Sequence, residues 1–210
     1  MIKAVFWDND GVLVDTEKYY YRATKELFAN YGAELTEDDY LKYYLQNNTG
    51  AWHLLGKAAD DKEFLKRLRT ERGDIYIKYL LQGDHSVPGA EDVLNYLAGK
   101  YKMGIVTSSR REHFNAIHQQ TGFLKYIDFT LVREDYKNSK PDPEPYLKAL
   151  EISGVLPDEA LVIEDSERGL LAAHNAGIKC WVIPSEFSGP GAFGNADKIL
   201  ENIAEVKKYL

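Results

Sequence analysis

The chain holds a single cysteine, Cys180. An internal disulfide needs a second thiol and a multi-cysteine zinc site needs several, so both are excluded. Long apolar runs are missing too: nothing approaches the roughly 20 residues that span a bilayer, and no membrane segment is expected. The start, Met1-Ile2-Lys3 followed at once by Ala4-Val5-Phe6-Trp7, lacks the longer apolar stretch and small-residue cleavage site of a secretory signal, which makes the cytoplasm the expected location. Excess basic charge is also absent. Lys and Arg number 26 against 33 Asp and Glu, a formal net charge of −7. A chain that grips nucleic acid or an anionic membrane by charge carries the opposite balance, so neither partner is expected, although a local basic group for one phosphate remains compatible. Repeats and low-complexity tracts are lacking as well.

What is present is an ordinary globular composition, 44% hydrophobic and 28% charged over 210 residues, enough for one domain carrying a smaller insertion. Nothing in it demands an oligomer, and a monomer is the default. Four short apolar runs, Ala4–Trp7, Met103–Val106, Leu161–Ile163 and Cys180–Ile183, read as central strands of a parallel sheet, with Phe129–Val132 as a further candidate. Between them Ala90–Leu97, Arg111–Gln119, Pro143–Ile152 and Gly169–Asn175 have helical spacing. This alternation predicts an α/β fold, a Rossmann-like three-layer core around a parallel sheet. Residues 16–86 break the rhythm. They offer helical segments only (Glu17–Tyr31, Thr36–Leu45, Ala51–Ala59, Lys62–Gln82) and read as an inserted all-helical domain, residues 1–15 and 87–210 forming the core.

In open α/β sheets, chemistry collects beyond the carboxyl ends of the strands. The segments there are Asp8-Asn9-Asp10-Gly11-Val12, Thr107-Ser108-Ser109, Ser139-Lys140-Pro141-Asp142-Pro143 and Glu164-Asp165-Ser166. Carboxylates at the ends of apolar strands are costly unless paired or bound to metal. Asp8 and Asp10, one residue apart, face the same side of an extended segment and repel unless a cation intervenes or one keeps its proton. With Glu164 and Asp165, the oxygen-only donor set favours a hard ion such as Mg²⁺. One carboxylate can attack phosphorus while a protonated neighbour serves the leaving group; Thr107 and Lys140 supply a donor and a cation for phosphoryl oxygens.

These four motifs, in this order and over essentially the whole chain, resemble those of the haloacid dehalogenase superfamily, in its helical-cap phosphatase and beta-phosphoglucomutase-like branch. The resemblance implies Asp8 as a nucleophile forming an aspartyl-phosphate and Asp10 as acid and then base. It implies Mg²⁺ on the Asp8 carboxylate, the Asp10 carbonyl and Asp165, with Glu164 as a ligand or close by, and phosphate binding by Thr107, Ser108 and Lys140. The expected activity is hydrolysis of a small phosphorylated metabolite; the alternatives are a phosphosugar mutase and a non-catalytic binding module. Asp10 speaks against dehalogenation, and Tyr20, where the mutases carry histidine, against the mutase. Asn9 receives no side-chain role, and the five histidines are expected at the surface or in packing. Asp15 and Thr16 are expected to brace the entry to the insertion. In the insertion, Trp52 is expected to pack rather than stack on substrate, and Arg72 to be a solvated helix charge. The loop from Gln46 to Trp52, including Asn48, is expected to face the active site.

Overall fold

The computed structural model describes residues 1–47, 49–185 and 193–210; Asn48 of the expected substrate-facing loop lies outside the described residues. The chain divides into two compact units, Met1–Asp15 with His85–Leu210, and Thr16–Asp84. His85 and Ser86 fall in the first unit because the outgoing and returning segments pair. Val14 bridges Ser86 antiparallel, the Asp15 N–H donates to the His85 carbonyl at 2.8 Å, and the Val87 N–H donates to the Leu13 carbonyl at 2.9 Å.

Strand β1 (Ala4–Trp7) precedes the helical unit, which holds α1 (Glu17–Asn30), α2 (Glu37–Tyr40) and α3 (Lys62–Leu80). In α1 the buried residues Ala23, Thr24, Leu27 and Phe28 form one stripe at helical spacing, and the helix lies against α3. Asp61 starts α3 by accepting the Glu63 and Phe64 N–H groups at 2.9 and 3.1 Å. A reciprocal box between Thr36 and Asp39 starts α2, but after one turn the chain widens into a π-helical stretch, Leu41–Gln46, instead of continuing as the expected α-helix. Rings of Tyr40 and Tyr44 stack there at 4.9 Å. The segment expected as a helix over Ala51–Ala59 is a 3₁₀ run, Trp52–Asp60, interrupted at Gly56, whose φ of 65° no continuous helix admits.

Trp52 is buried at 8% exposure beside Phe28 and Tyr44, a packing residue of this unit. Arg72 departs from the solvated charge expected of it. Its guanidinium lies 4.6, 5.2 and 5.6 Å from the ring centroids of Tyr20, Trp52 and Tyr44, a cation among aromatic faces.

The sheet-bearing unit continues with α4 (Ala90–Leu97), β2 (Lys102–Val106), α5 (Arg111–Thr121), β3 (Phe129–Leu131), α6 (Glu144–Ser153), β4 (Ala160–Glu164), α7 (Glu167–Asn175), β5 (Lys179–Val182) and β6 (Lys198–Ile199). All six strands are parallel, in the order β3-β2-β1-β4-β5-β6. β1 is sandwiched, with Val5 opposite Met103 on one side and Leu161 on the other. Alternate side chains of the strands feed two cores. Ala4, Phe6, Val162 and Cys180 pack with Tyr146, Ala149, Leu170 and Ala173 of α6 and α7. Right-handed crossovers that run the other way across the sheet put α4 and α5 on the opposite face, where Val5 and Trp7 are buried. The core is therefore three-layered. Strand order reverses between β1 and β4, and the crevice beyond the carboxyl ends of those two strands is where such sheets bind ligands.

Candidate active site

The carboxyl end of β1 delivers Asp8, whose N–H still belongs to the sheet through the Ile163 carbonyl at 2.9 Å. The chain then turns tightly: the Asn9 carbonyl accepts the N–H groups of Val12, Leu13 and Val14. Gly11 sits in this turn at φ +88°, and a Cβ there would lie 2.1 Å from Oδ2 of Asp165. Only glycine fits, both for the backbone and for the approach of β4's carboxylate to β1's loop.

Lys140, 5% exposed, is the hub. Its ammonium donates to Asp8 Oδ1 at 2.5 Å, to Glu164 Oε1 at 2.7 Å and to the Val106 carbonyl at 2.8 Å. An ammonium has three protons, so all its donors are committed. An anion bound nearby would therefore feel Lys140 through its charge, and would contact it directly only by displacing a partner. Glu164, fully buried, accepts on Oε1 also from Tyr146 Oη at 2.7 Å, and on Oε2 from Ser166 Oγ at 3.0 Å and the Asp165 N–H at 3.2 Å. Tyr146 lies inward on α6 and has no motif to announce it.

Oxygens of Asp8, Glu164 and Asp165 lie within 4.8 Å of one another, and Lys140 is ion-paired to the first two. Burial and then the Glu164 charge push the Asp8 carboxyl well above its ordinary value, Lys140 only partly opposing them. For Glu164 burial acts in the same direction, but the Lys140 charge and the bonds from Lys140, Tyr146 and Ser166 outweigh it and hold that carboxyl low. Burial would lower the Lys140 ammonium, yet Asp8 and Glu164 hold it above its usual value. Three carboxylates converging there, two of them buried, have the donor chemistry that suits a hard divalent cation. The trio can hold one.

Asp10 is oriented by the loop after β2. Its Oδ2 accepts from Ser109 Oγ at 2.8 Å and from Thr107 Oγ1 at 3.3 Å; the Ser109 N–H donates to Thr107 Oγ1 at 3.0 Å. Ser109, read from sequence as part of the motif without a role, is the shorter of these contacts. Ser108 is exposed at the rim. Tyr136 Oη donates to the Thr107 carbonyl at 2.8 Å and fixes that turn from behind, and Ser185 Oγ donates to Asp165 Oδ2 at 2.9 Å. Asn9 departs from expectation. The Asn9 side chain is fully buried and bonded to the His118 ring, and His118, packed beside Phe114 and Phe123 as expected, is hydrogen bonded as well.

A family model described as haloacid dehalogenase-like hydrolase matches residues 5–183. The chain belongs to the haloacid dehalogenase-like hydrolase family. Among relatives in this family, YhcW of Bacillus subtilis (strain 168) is 32% identical over 100% of this chain and 96% of its own length. The phosphorylated carbohydrates phosphatase of Thermotoga maritima is 32% identical over 85% of this chain and 83% of its own. A mutant of CbbY from Rhodobacter sphaeroides, solved with xylulose-(1,5)bisphosphate, superposes with a TM-score of 0.83 at 25% identity, covering 98% of this chain and 96% of that one. Within the haloacid dehalogenase-like family the chain is a phosphatase.

Proposed function

We propose that this phosphatase hydrolyses a small phosphate monoester, a phosphorylated carbohydrate or similar metabolite, with Mg²⁺ and through an aspartyl-phosphate on Asp8. The observation that carries the proposal is the Asp8 carboxylate held against Lys140, with Asp10 two residues on and the Glu164 and Asp165 carboxylates beside it. The phosphatase relative named for phosphorylated carbohydrates supports the substrate class. The helical unit would be the cap that decides which ester is accepted, and the cytoplasm is the compartment where such esters and Mg²⁺ occur together; no helix among the described residues is long and apolar enough to cross a membrane.

Asp8 must be ionised to attack, and burial opposes that; the Lys140 charge favours the carboxylate. An Asp8 oxygen bonds to phosphorus as the bond to the leaving oxygen breaks, and Asp10 gives that oxygen its proton. Water then attacks phosphorus, Asp10 takes the water's proton, and phosphate leaves with Asp8 restored. Mg²⁺, held by the Asp8 and Asp165 carboxylates and the Asp10 carbonyl, would offset the charge of the phosphoryl group. Glu164 would join them by exchanging one of its present donors; otherwise it holds Lys140 in place. Thr107 and Ser108, in the loop after β2, would donate to phosphoryl oxygens, the Thr107 hydroxyl by releasing Asp10.

Phosphate release from a panel of sugar phosphates and p-nitrophenyl phosphate, with and without Mg²⁺, tests this. Release is expected only with the metal, and Asp8→Asn should lower it by at least about 10⁴-fold while folding normally. Activity in that variant overturns the mechanism. Isomerisation of a hexose phosphate without net release would favour a phosphomutase instead, and inertness toward every ester a binding module.

A further inference from the structure

Asn9 stands between the two aspartates at 0% exposure, and its side chain ends a line of hydrogen bonds running in from α5. The Phe123 N–H donates to Thr121 Oγ1 at 3.3 Å; Thr121 Oγ1 is 2.8 Å from His118 Nδ1; His118 Nε2 is 2.9 Å from Asn9 Oδ1; Asn9 Nδ2 is 3.4 Å from Asp10 Oδ2. His118 and Thr121 are 7% and 6% exposed, so these groups look chiefly to one another. Burial pushes the His118 imidazolium down to about 4 although the Asp10 charge pulls the other way, so the ring is neutral near pH 7, with one donor and one acceptor.

The carboxylate at the end of the line sets its direction. Were Nδ1 the protonated nitrogen, Nε2 would accept and the Asn9 amide would turn its NH₂ to the ring. Its oxygen would then face the Asp10 carboxylate, two acceptors without a proton between them. With the proton on Nε2, each group donates once toward Asp10: Phe123 to Thr121, Thr121 to His118, His118 to Asn9, Asn9 to Asp10. Thr107, Ser109 and Asn9 then all donate to the same oxygen, Oδ2. An oxygen accepting three donors is held in place, so the orientation of the Asp10 carboxyl is set from this side.

We propose that Asn9, oriented by His118 and Thr121, is a positioning residue that holds the Asp10 carboxyl in the orientation from which it exchanges the proton. The inference rests on the reading of Asp10 as the acid and base of phosphate-ester hydrolysis. A group that merely filled space would be replaced by leucine at little cost to turnover. A positioning group would not.

The test compares kcat and KM for a sugar phosphate, a poor leaving group, and for p-nitrophenyl phosphate, a good one, in the full-length protein with Mg²⁺. Asn9→Leu should lower kcat for the sugar phosphate about tenfold or more, the scale of a bond to a charged group, with a smaller loss on the aryl ester and KM nearly unchanged. His118→Leu should do the same. His118→Gln, whose amide N–H can reach Asn9 Oδ1, should recover to within about threefold of wild type. The Asn9→Leu, His118→Leu double variant should cost no more than either alone, as members of one line do.

Equal losses on both esters, failure of His118→Gln to improve on His118→Leu, or additive costs in the double variant would overturn the proposal. Asp10→Asn separates this from the underlying reading. If it shows no dependence on the leaving group, the role of Asp10 is wrong; if it does and Asn9→Leu does not, the positioning role alone is wrong.

Discussion

His118 carries a consequence for stability as well as for turnover. Its folded-state value, about 4, lies below the 6.5 of an unfolded histidine. Between those values the unfolded chain binds a proton that the folded one refuses, so stability falls as the pH drops from about 6.5 toward 4 and levels off below. The contribution is on the order of 3 kcal/mol across the window. The thermal midpoint of the wild type should therefore fall more steeply over this range than that of His118→Gln, which has nothing to titrate there. Parallel curves would contradict a buried neutral imidazole. The same residue shows what a linear reading misses. Asp8, Lys140 and Asp165 stand in short motifs whose spacing has a chemical reason. His118 and Asn9 meet across 109 positions with no local pattern at either end, and an imidazole on a helix looks alike whether it packs or donates. Tyr146 is hidden in the same way, its hydroxyl bonded to Glu164 while its ring reads as one more core residue.

Elements differ in how plainly they can be read. β1, β2, β4 and β5 are apolar runs because helices cover both faces, and that burial is written directly into their composition. β6 is a two-residue edge strand, too short for any period to show. The π-helical stretch after α2 and the break at Gly56 depend on hydrogen-bond spacing and one backbone torsion, neither of which residue type reveals. α7 offers a test at this scale. Gly169 lies in its first turn, where helix propensity alone favours alanine by roughly 0.5–1 kcal/mol. A Cβ there would lie 1.8 Å from the Glu164 carboxyl carbon, so the side chain that anchors Lys140 would have to move. Gly169→Ala should thus reverse the propensity rule: a destabilisation of about 1–3 kcal/mol, with kcat falling further than the thermal midpoint alone accounts for. A more stable, fully active variant would show that Glu164 has room to move.

The whole molecule is a sheet-bearing unit interrupted after its first strand by a helical one, and the two connecting segments run side by side where Val14 meets Ser86. The division into two units was legible because a long stretch without strand signals interrupts an alternating pattern; the exact return point was not, since the pairing of His85 and Ser86 with the first unit is made by backbone groups that residue type does not reveal. The interruption also sets a timetable for synthesis. β1 leaves the ribosome before either of its partners, Lys102–Ile105 on one side and Ala160–Ile163 on the other. At about 5–20 residues per second the first partner follows about 5–20 s later. For that interval the Ala-Val-Phe-Trp segment, wholly buried in the finished fold, has no neighbouring strand to pair with. Nascent chains stalled before β2 has emerged should remain open to protease at β1, and chains extended past β4 should be protected; protection before β2 appears would mean that β1 finds other cover. The central strand of the sheet is made first and completed late, which makes it the segment a chaperone would meet.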